Sequence, residues 1–335
     1  MSSDKVLLDY GSGGKASQRL ISELFIKNFA NPELERLNDA AAFHIDGKIS
    51  MSTDSFTVDP IFFPGGDIGS LAVHGTVNDV AMLGAIPKYL TCAYMIEEGL
   101  PMADLERIVI SMSEAVKEAG VAIVTGDTKV VPKGAIDKIF INTTGVGQII
   151  ADPMPSGDRA AVGDVVLVSG TMGDHGLTIL GTREGLSLAS NVMSDSAALN
   201  HLLVKLVQEI PDIHVLRDPT RGGLATTLNE ITTASNVCCE LEESSIPVKP
   251  EVVGGCSFLG LDPLYLANEG KFLCILPQKY AKQALEIMRA DKLGADACQV
   301  GTITDAKPGK VILVTPLGGR RLLNMLEGEQ LPRIC

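Results

Sequence analysis

A two-domain α/β (α+β) chain is the fold this sequence predicts, and three observations carry that expectation. Apolar runs of strand length alternate with stretches of helical periodicity from one end to the other. The 335 residues suffice for two units that each bury a core; 45% of them are hydrophobic and Trp is absent, so that core is aliphatic. A proline-rich polar joint, DPMPSGD over 152–158, divides the chain near its middle. The expected units are a first domain over 1–151, a second over 159–315 and a C-terminal segment over 316–335.

Val6-Leu7-Leu8 reads as a short strand leading into the run Gly11-Ser12-Gly13-Gly14-Lys15, and apolar residues at helical spacing follow from Ser17 to Phe29. A strand is expected from Ile49 to Ser52, ending at Thr53-Asp54. Helices are expected from Ile68 to Leu83, stopped by Gly84 and Pro87, and from Pro101 to Ala119, stopped by Gly120. Val121 to Val124 reads as a buried strand closed by a turn, Thr125-Gly126-Asp127-Thr128, and Ile139 to Ile149 as another strand. The second half offers a strand at Val165–Val168, glycine-rich turns over Gly170–Gly176 and Arg217–Gly223, helices near Leu199–Gln208, up to Thr233 and over Tyr280–Arg289, and strands near Lys271–Leu276, Gln299–Thr304 and Lys310–Val314. VAIVTG and VVLVSG echo each other faintly across the two halves. In the tail, Gly328 to Cys335, Pro332 disfavours helix and extends Leu331. Its eight residues reach about 26 Å when extended, so a flexible, travelling tail is expected.

A net charge of −13 repels phosphate backbones and argues against nucleic-acid binding. No apolar stretch approaches a membrane span, and the N-terminal residues lack signal-peptide character, so a cytoplasmic location is expected. Seven cysteines, an odd number without a CxxC, suggest neither a disulfide framework nor a zinc site. Five read as small core hydrophobes; Cys238-Cys239 is an adjacent pair with redox or incidental standing. Cys335 differs because it is the last residue.

GSGGK fails as a Walker A loop, since Asp9 stands where the first glycine belongs and Ala16 follows Lys15. Two readings stay open for it: a plain turn into a helix, or a loop whose N–H groups and Lys15 cover a phosphate. Asp79 lies in the apolar run Val77 to Leu83, where a carboxylate needs a cation, a hydrogen-bond network or a function. Asp54 and Asp127 are placed at a strand end and in a turn after a strand, where α/β folds hold ligands. Three acids without His or Cys at ligand spacing favour a hard cation such as Mg²⁺, brought with a nucleotide. Lys129 is a candidate to neutralise phosphate charge, or is a solvated lysine. The polar turns GTMGDHG, which holds His175, and RDPTRGG suit anions. Glu269, in ANEGK just before a strand, is a candidate general base.

Taken in order, TDSFTVDP, NDVAMLGAIP, TGDTKVV, GTMGDHG, RDPTRGG, ANEGK and the terminal PRIC resemble the HypE family of hydrogenase maturation factors, from about Gly11 to Cys335. The middle motifs are shared across the wider PurM-like superfamily; PRIC narrows the resemblance. Tyr10 departs from it, because the family often has His there. The resemblance implies a PurM-like fold: an N-terminal domain forming a dimeric β-barrel-like sheet, a C-terminal α/β domain and a mobile tail. It also implies an ATP site near the homodimer interface, built from Gly11, Ser12, Gly13, Gly14, Lys15, Asp54, Asn78, Asp79, Asp127 and Thr128, with Mg²⁺ on Asp54, Asp79 and Asp127. Cys335, Glu269 and Lys129 are the implied catalytic residues. It implies, too, that a HypF-like carbamoyltransferase loads a carbamoyl group onto Cys335, that ATP-dependent dehydration turns it into a thiocyanate, and that a HypC–HypD iron scaffold receives the cyanide. An ATP-dependent PurM-like enzyme acting on a free small molecule and a non-catalytic assembly scaffold are the alternatives.

Arg333, two residues from the end of an extended tail, is expected on the same side as Cys335. There it would offset the α-carboxylate, which is expected to raise the thiol pKa.

Overall fold

Period-two alternation shapes the first half of the chain. The computed structural model describes residues 4–12, 14–38, 40–185, 192–326 and 333–335. A helical run opens the chain as α1 (Lys15–Leu20), a π-helical stretch over Ile21–Ile26, and α2 (Lys27–Phe29). There follow β1 (Ile49–Phe56), a small hairpin of β2 (Phe62–Phe63) and β3 (Gly66–Asp67), and α3 (Ile68–Met82). Then come β4 (Ala85–Glu97), α4 (Met102–Ala119), β5 (Ala122–Val131) and β6 (Ile139–Ile149). The four long strands form one sheet in the order β1-β6-β4-β5. β4 and β5 run parallel, which requires the crossover that α4 supplies; the other pairs are antiparallel.

One face of this sheet lies under α3 and α4 and carries Phe56, Leu90, Tyr94, Ile96, Ile139 and Ile141 into the core. The opposite face stays open, with Met51 and Met95 exposed on it. α3 starts on a capping box: the Asp67 carboxylate accepts from the N–H groups of Gly69 and Ser70, and the Ser70 hydroxyl accepts from the Asp67 N–H. Because the helix is sandwiched between sheet and neighbours, its polar residues face protein rather than water.

The second half contains β7 (Asp164–Val168), α5 (Asp174–Arg183), α6 (Asn200–Glu209), β8 (Val215–Arg217) and α7 (Gly223–Ser235). It continues with β9 (Cys238–Glu242), α8 (Pro250–Leu259), β10 (Leu273–Pro277), α9 (Ala281–Arg289), β11 (Cys298–Thr304), β12 (Lys310–Val314) and β13 (Arg320–Leu322). Its seven strands run in the order β13-β12-β9-β11-β7-β10-β8. Val166 and Val168 of β7 pack with Leu224 and Leu228 of α7 on one face; Val165 and Leu167 pack with Leu203 and Leu206 of α6 on the other. Burial on both faces explains why VVLV is an unbroken apolar run.

Several sequence expectations change here. Val6 is not in a strand; it exchanges two backbone hydrogen bonds with Gly99 and Leu100 before a 3₁₀ turn over Leu8–Gly11 takes over. Asp54 does not end its strand, because β6 continues to pair with β1 out to Phe56. Nor do Thr125 to Thr128 form a turn: β5 runs through them, paired with β4. Gly126 reads as a turn glycine, yet it serves close approach, since a Cβ there would stand 2.2 Å from the Cys92 carbonyl oxygen. β13 lies in the segment over 316–335 and pairs with β12, so the second sheet extends past 315. Gly13 and the tail from Gly328 to Pro332 lie outside the described residues. Cys238 and Cys239 are both buried and neighbour each other along β9, so their side chains point to opposite faces. Among the described residues, no helix is long and apolar enough to cross a membrane.

Candidate active site

Four elements bring acids to one place. The Ser52 hydroxyl of β1 donates to the Asp79 carboxylate of α3 at 2.7 Å, which sets the facing residues of strand and helix. Asp54 follows on the same face of β1, and Asp218 enters from the turn after β8. Burial pushes Asp79 up, with Asp54 adding to it, while the Ser52 bond, Arg217 and Arg221 pull it back. Burial, and then the neighbouring Asp79, bring Asp218 up to about 7.

Glu269 closes the cluster from the loop before β10. It is 4% exposed, and its Oε1 is buried without a hydrogen-bond partner. Burial first, and then Asp218, Asp195, Asp54 and Asp79, hold its carboxyl well above the usual range. The Glu269 backbone is pinned on both sides: its N–H donates to the Asp195 carboxylate at 3.0 Å, and its carbonyl accepts from the Asn78 amide at 3.4 Å. Asn78 also donates to the Ala197 carbonyl and accepts from the Leu199 N–H. It is a strut beside the site, with its amide committed to protein partners.

The chain end lies inside this cluster. Cys335 is 8% exposed, and its Sγ stands 3.8 Å from a guanidinium nitrogen of Arg221. Burial pushes the thiol up to about 12; Glu269 and Asp54 add to the rise and Arg221 opposes it. The direction is the expected one, but the cause is burial rather than the α-carboxylate. Arg333 departs from its expected place. Its φ of 53° turns the chain out of the extended form, so its side chain leaves the thiol. Its Nε donates to the Thr57 carbonyl and Nη1 pairs with Asp137 at 2.6 Å. Arg221 holds the position beside the thiol that Arg333 was expected to take. His175 is a tail contact: fully buried, it meets the Ser194 hydroxyl through Nδ1 and the Ile334 carbonyl through Nε2, each at 2.8 Å.

A groove of about 440 Å³ runs between the N-terminal helical segment and β5. Phe25 stacks on Tyr94 at 4.9 Å along its apolar end; Gly11, Ser12, Asp127, Thr128 and Lys129 line its polar end, and Tyr10 is among its walls. Gly11 is needed because a Cβ there would stand 2.4 Å from the Val130 nitrogen. Gly14 caps α1, and Lys15 is exposed on its first turn, outside the groove lining.

Groove and acid cluster are separate within one chain. Asp54 pairs across β6 and β4 to Gly126, three strand spacings away, or about 14 Å. Asp127, one residue on, points to the open face of the sheet, whereas Asp54 points to the face under α3. Asp127 pairs with Lys129 at 2.8 Å, both more than half exposed; this partner, first, holds the Asp127 carboxyl below its usual range. One chain therefore cannot gather Asp54, Asp79 and Asp127 around one cation. Among the described residues, no three His, Cys, Asp or Glu side chains are arranged to hold a metal ion by themselves. Asp54, Asp79 and Asp218 still suit Mg²⁺ carried on phosphates, because their mutual repulsion is what a hard cation would relieve.

Sequence reasoning missed Asp218, Arg221 and Asp195. The first two stand in RDPTRGG, where two arginines framing one acid after a strand are a usable signal. Asp195 carries none, since only the fold brings it to Glu269.

Comparison with known proteins follows the same outline. Residues 37–149 match the family described as AIR synthase related protein, N-terminal domain, and residues 161–314 match its C-terminal domain. The carbamoyl dehydratase HypE of Azotobacter vinelandii is 52% identical over 97% of this chain and 96% of its own length. A crystal structure of hydrogenase maturation protein HypE in complex with ATP superposes with a TM-score of 0.96 at 63% identity, covering 98% of this chain and 99% of the other. The HypE chain of a HypE–HypF complex superposes with a TM-score of 0.81 at 48% identity, covering 92% and 99%.

Proposed function

The chain belongs to the HypE family of carbamoyl dehydratases, and from that premise we propose that its own last residue is the carrier on which the reaction runs. The observation that supports this most directly is the Cys335 thiol, lying at the end of the chain yet inside the acid cluster beside Arg221. The reaction converts S-carbamoyl cysteine and ATP into S-cyano cysteine, ADP and phosphate. The carbamoyl oxygen attacks the γ-phosphorus and ADP leaves; the C–O bond then breaks as phosphate departs. Of the two protons on nitrogen, one ends on phosphate and the other is released.

Glu269 is the proposed base. Its Oε1 is buried in the cluster without a partner, and its ionised form, disfavoured there by burial and the neighbouring acids, is a stronger proton acceptor than an ordinary carboxylate. Arg221 orients the thiocarbamate and favours negative charge on its oxygen. Asp54, Asp79 and Asp218 would hold Mg²⁺, which when bound with the nucleotide supplies charge neutralisation of the phosphates. The groove lined by Gly11, Ser12 and Thr128 would take the nucleoside end of ATP.

A homodimer joined through the open sheet faces accounts for the separation of groove and cluster: Asp127 and Lys129 of one copy would serve the acids of the other. Carbamoyl loading by a HypF-like carbamoyltransferase, and cyanide transfer to a HypC–HypD iron scaffold, complete the proposed route.

The test is mass spectrometry of the C-terminal peptide after incubation with a HypF-type carbamoyltransferase, carbamoyl phosphate and ATP. The carbamoyl adduct should form and then lose one water only when ATP is present; an adduct that never loses water would sink the reading. Lys129→Ala and Asp79→Asn should each load carbamoyl yet fail to dehydrate it. Mixed under subunit exchange, the two should recover about a quarter of wild-type activity, because half of the dimers then hold one intact site out of two. No recovery would place Lys129 and Asp79 in the same chain's site.

A further inference from the structure

Five hydrogen bonds reach the last three residues through main-chain oxygens, those of Cys335 on its terminal carboxylate. The Thr57 N–H and hydroxyl donate to the Cys335 oxygen at 2.9 and 3.3 Å. His175 meets the Ile334 carbonyl at 2.8 Å. The Asp59 N–H and the Arg183 guanidinium donate to the Arg333 carbonyl at 3.2 and 2.9 Å. These contacts read main chain, which any peptide offers. The address is supplied by Arg333, whose side chain bonds the Thr57 carbonyl, pairs with Asp137 and lies over the Phe140 ring at 5.7 Å, and by Ile334, which is 5% exposed.

Three of the receiving residues, Asp59, His175 and Arg183, also hold contacts that do not involve the tail. Arg183 donates twice to the Asp59 carbonyl, at 2.9 and 2.7 Å. Lys138 pairs with the Asp59 carboxylate at 2.9 Å, and Ser194 holds the far side of the His175 ring. Thr57 and Asp59 continue the line of β1, so the tail is received as an added strand would be, by alternate backbone groups. A site held in part by its own contacts, and reading a chain end by backbone, has no need of the covalent connection to that end.

We propose that Thr57, Asp59, Asp137, Phe140, His175 and Arg183 form a receptor for C-terminal peptides, which accepts a separate peptide ending in Arg-Ile-S-carbamoyl-cysteine and presents it for dehydration in trans. This rests on the carbamoyl dehydratase reading above and extends it from the chain's own end to a class of peptide substrates. The chemistry is unchanged: the carbamoyl oxygen leaves with the phosphoryl group of ATP, and the peptide departs as a thiocyanate. The tethered tail competes at an effective concentration in the millimolar range, so half-saturation by a free peptide is expected on the order of 1 mM.

The experiment uses the full-length Cys335→Ala chain with Mg²⁺-ATP and the synthetic peptide Leu-Pro-Arg-Ile-Cys carrying S-carbamoyl on its cysteine. Mass spectrometry should show the peptide losing one water, saturably and only with ATP. Replacing the peptide's arginine with alanine, a change that cannot unfold the enzyme, should weaken conversion about tenfold or more, the loss of charged hydrogen bonds. Adding Arg333→Ala to the enzyme loosens the competing tail and should lower the peptide concentration required. If neither enzyme converts the peptide while the wild-type chain dehydrates its own carbamoylated end, the receptor is wrong. Conversion indifferent to the peptide's arginine would also overturn it. Failure of the wild-type chain as well would remove the dehydratase reading, and this inference with it.

Discussion

Cys335→Ala is expected to end nitrile formation on the chain itself, with folding and nucleotide binding intact. The thiol is the atom to which carbamoyl is attached, and no second cysteine can replace it: Cys92, Cys238, Cys239, Cys256 and Cys274 are buried in the cores, and Cys298 is half-buried on β11. Truncating one small side chain at a chain end removes little packing, so a thermal midpoint within a degree or two of wild type is expected. Adding one alanine after Cys335 tests position rather than chemistry. The Thr57 N–H and hydroxyl meet the oxygen of the last residue, and an extra residue must either displace the thiol from Arg221 or give up those bonds. The extended chain should form nitrile at least tenfold more slowly, roughly the cost of one or two hydrogen bonds. Cyanide-loaded acceptor produced by Cys335→Ala in the presence of ATP would end the self-modification reading.

Glu269→Gln is expected to slow dehydration by about 10²- to 10⁴-fold, the range over which a positioned base acts. Carbamoyl loading should be unchanged, because that step belongs to the carbamoyltransferase. The same substitution should stabilise the protein at neutral pH, and the sign follows from burial. The folded pKa of Glu269 is raised above its unfolded value of 4.5, so the folded state favours the protonated acid. Wild type then loses stability progressively as pH rises above 4.5, whereas glutamine carries no charge to bury. At pH 8 the variant should melt higher, by roughly 2–4 °C for each kcal/mol relieved; near pH 4.5 the two should agree. Differential scanning fluorimetry at the two pH values, beside a single-turnover assay, separates the effects. A variant slower in turnover but less stable at both pH values would mean that Glu269 is structural.

Much of this was legible in the residues. The long helices show their periodicity and stops openly, as in Met102–Ala119 ended by Gly120 in the left-handed region. Strands buried on both faces show as unbroken apolar runs. Asp79 announced itself as a carboxylate in an apolar helix, and the structure gives it Ser52, Asp54 and two arginines for company. What failed depended on partners far away in sequence. Gly126 looks like a turn because glycine usually marks one, and only the carbonyl of Cys92 on β4 explains it as a strand residue. Asp127 looked like a companion of Asp54 because both were expected just past the ends of strands; the sheet order and the two-residue repeat put them on opposite faces. Arg333 was assigned by alternation along an extended tail, and one positive φ removes that alternation.

The raised pKa of the Cys335 thiol also bears on the fate of the product. When an electron-rich acceptor takes the cyano group, the acceptor's electron pair forms the new bond to carbon, the carbon–sulfur bond breaks and the sulfur departs as a thiolate. In the docked position that thiolate is disfavoured, its pKa having risen from 9.0 to about 12. The pocket proposed to make the nitrile would thus also protect it: in the docked position the thiolate is a poor leaving group, so transfer of the cyano group is slowed there. On the proposed route, transfer would be faster from an undocked end, where the sulfur regains its ordinary acidity.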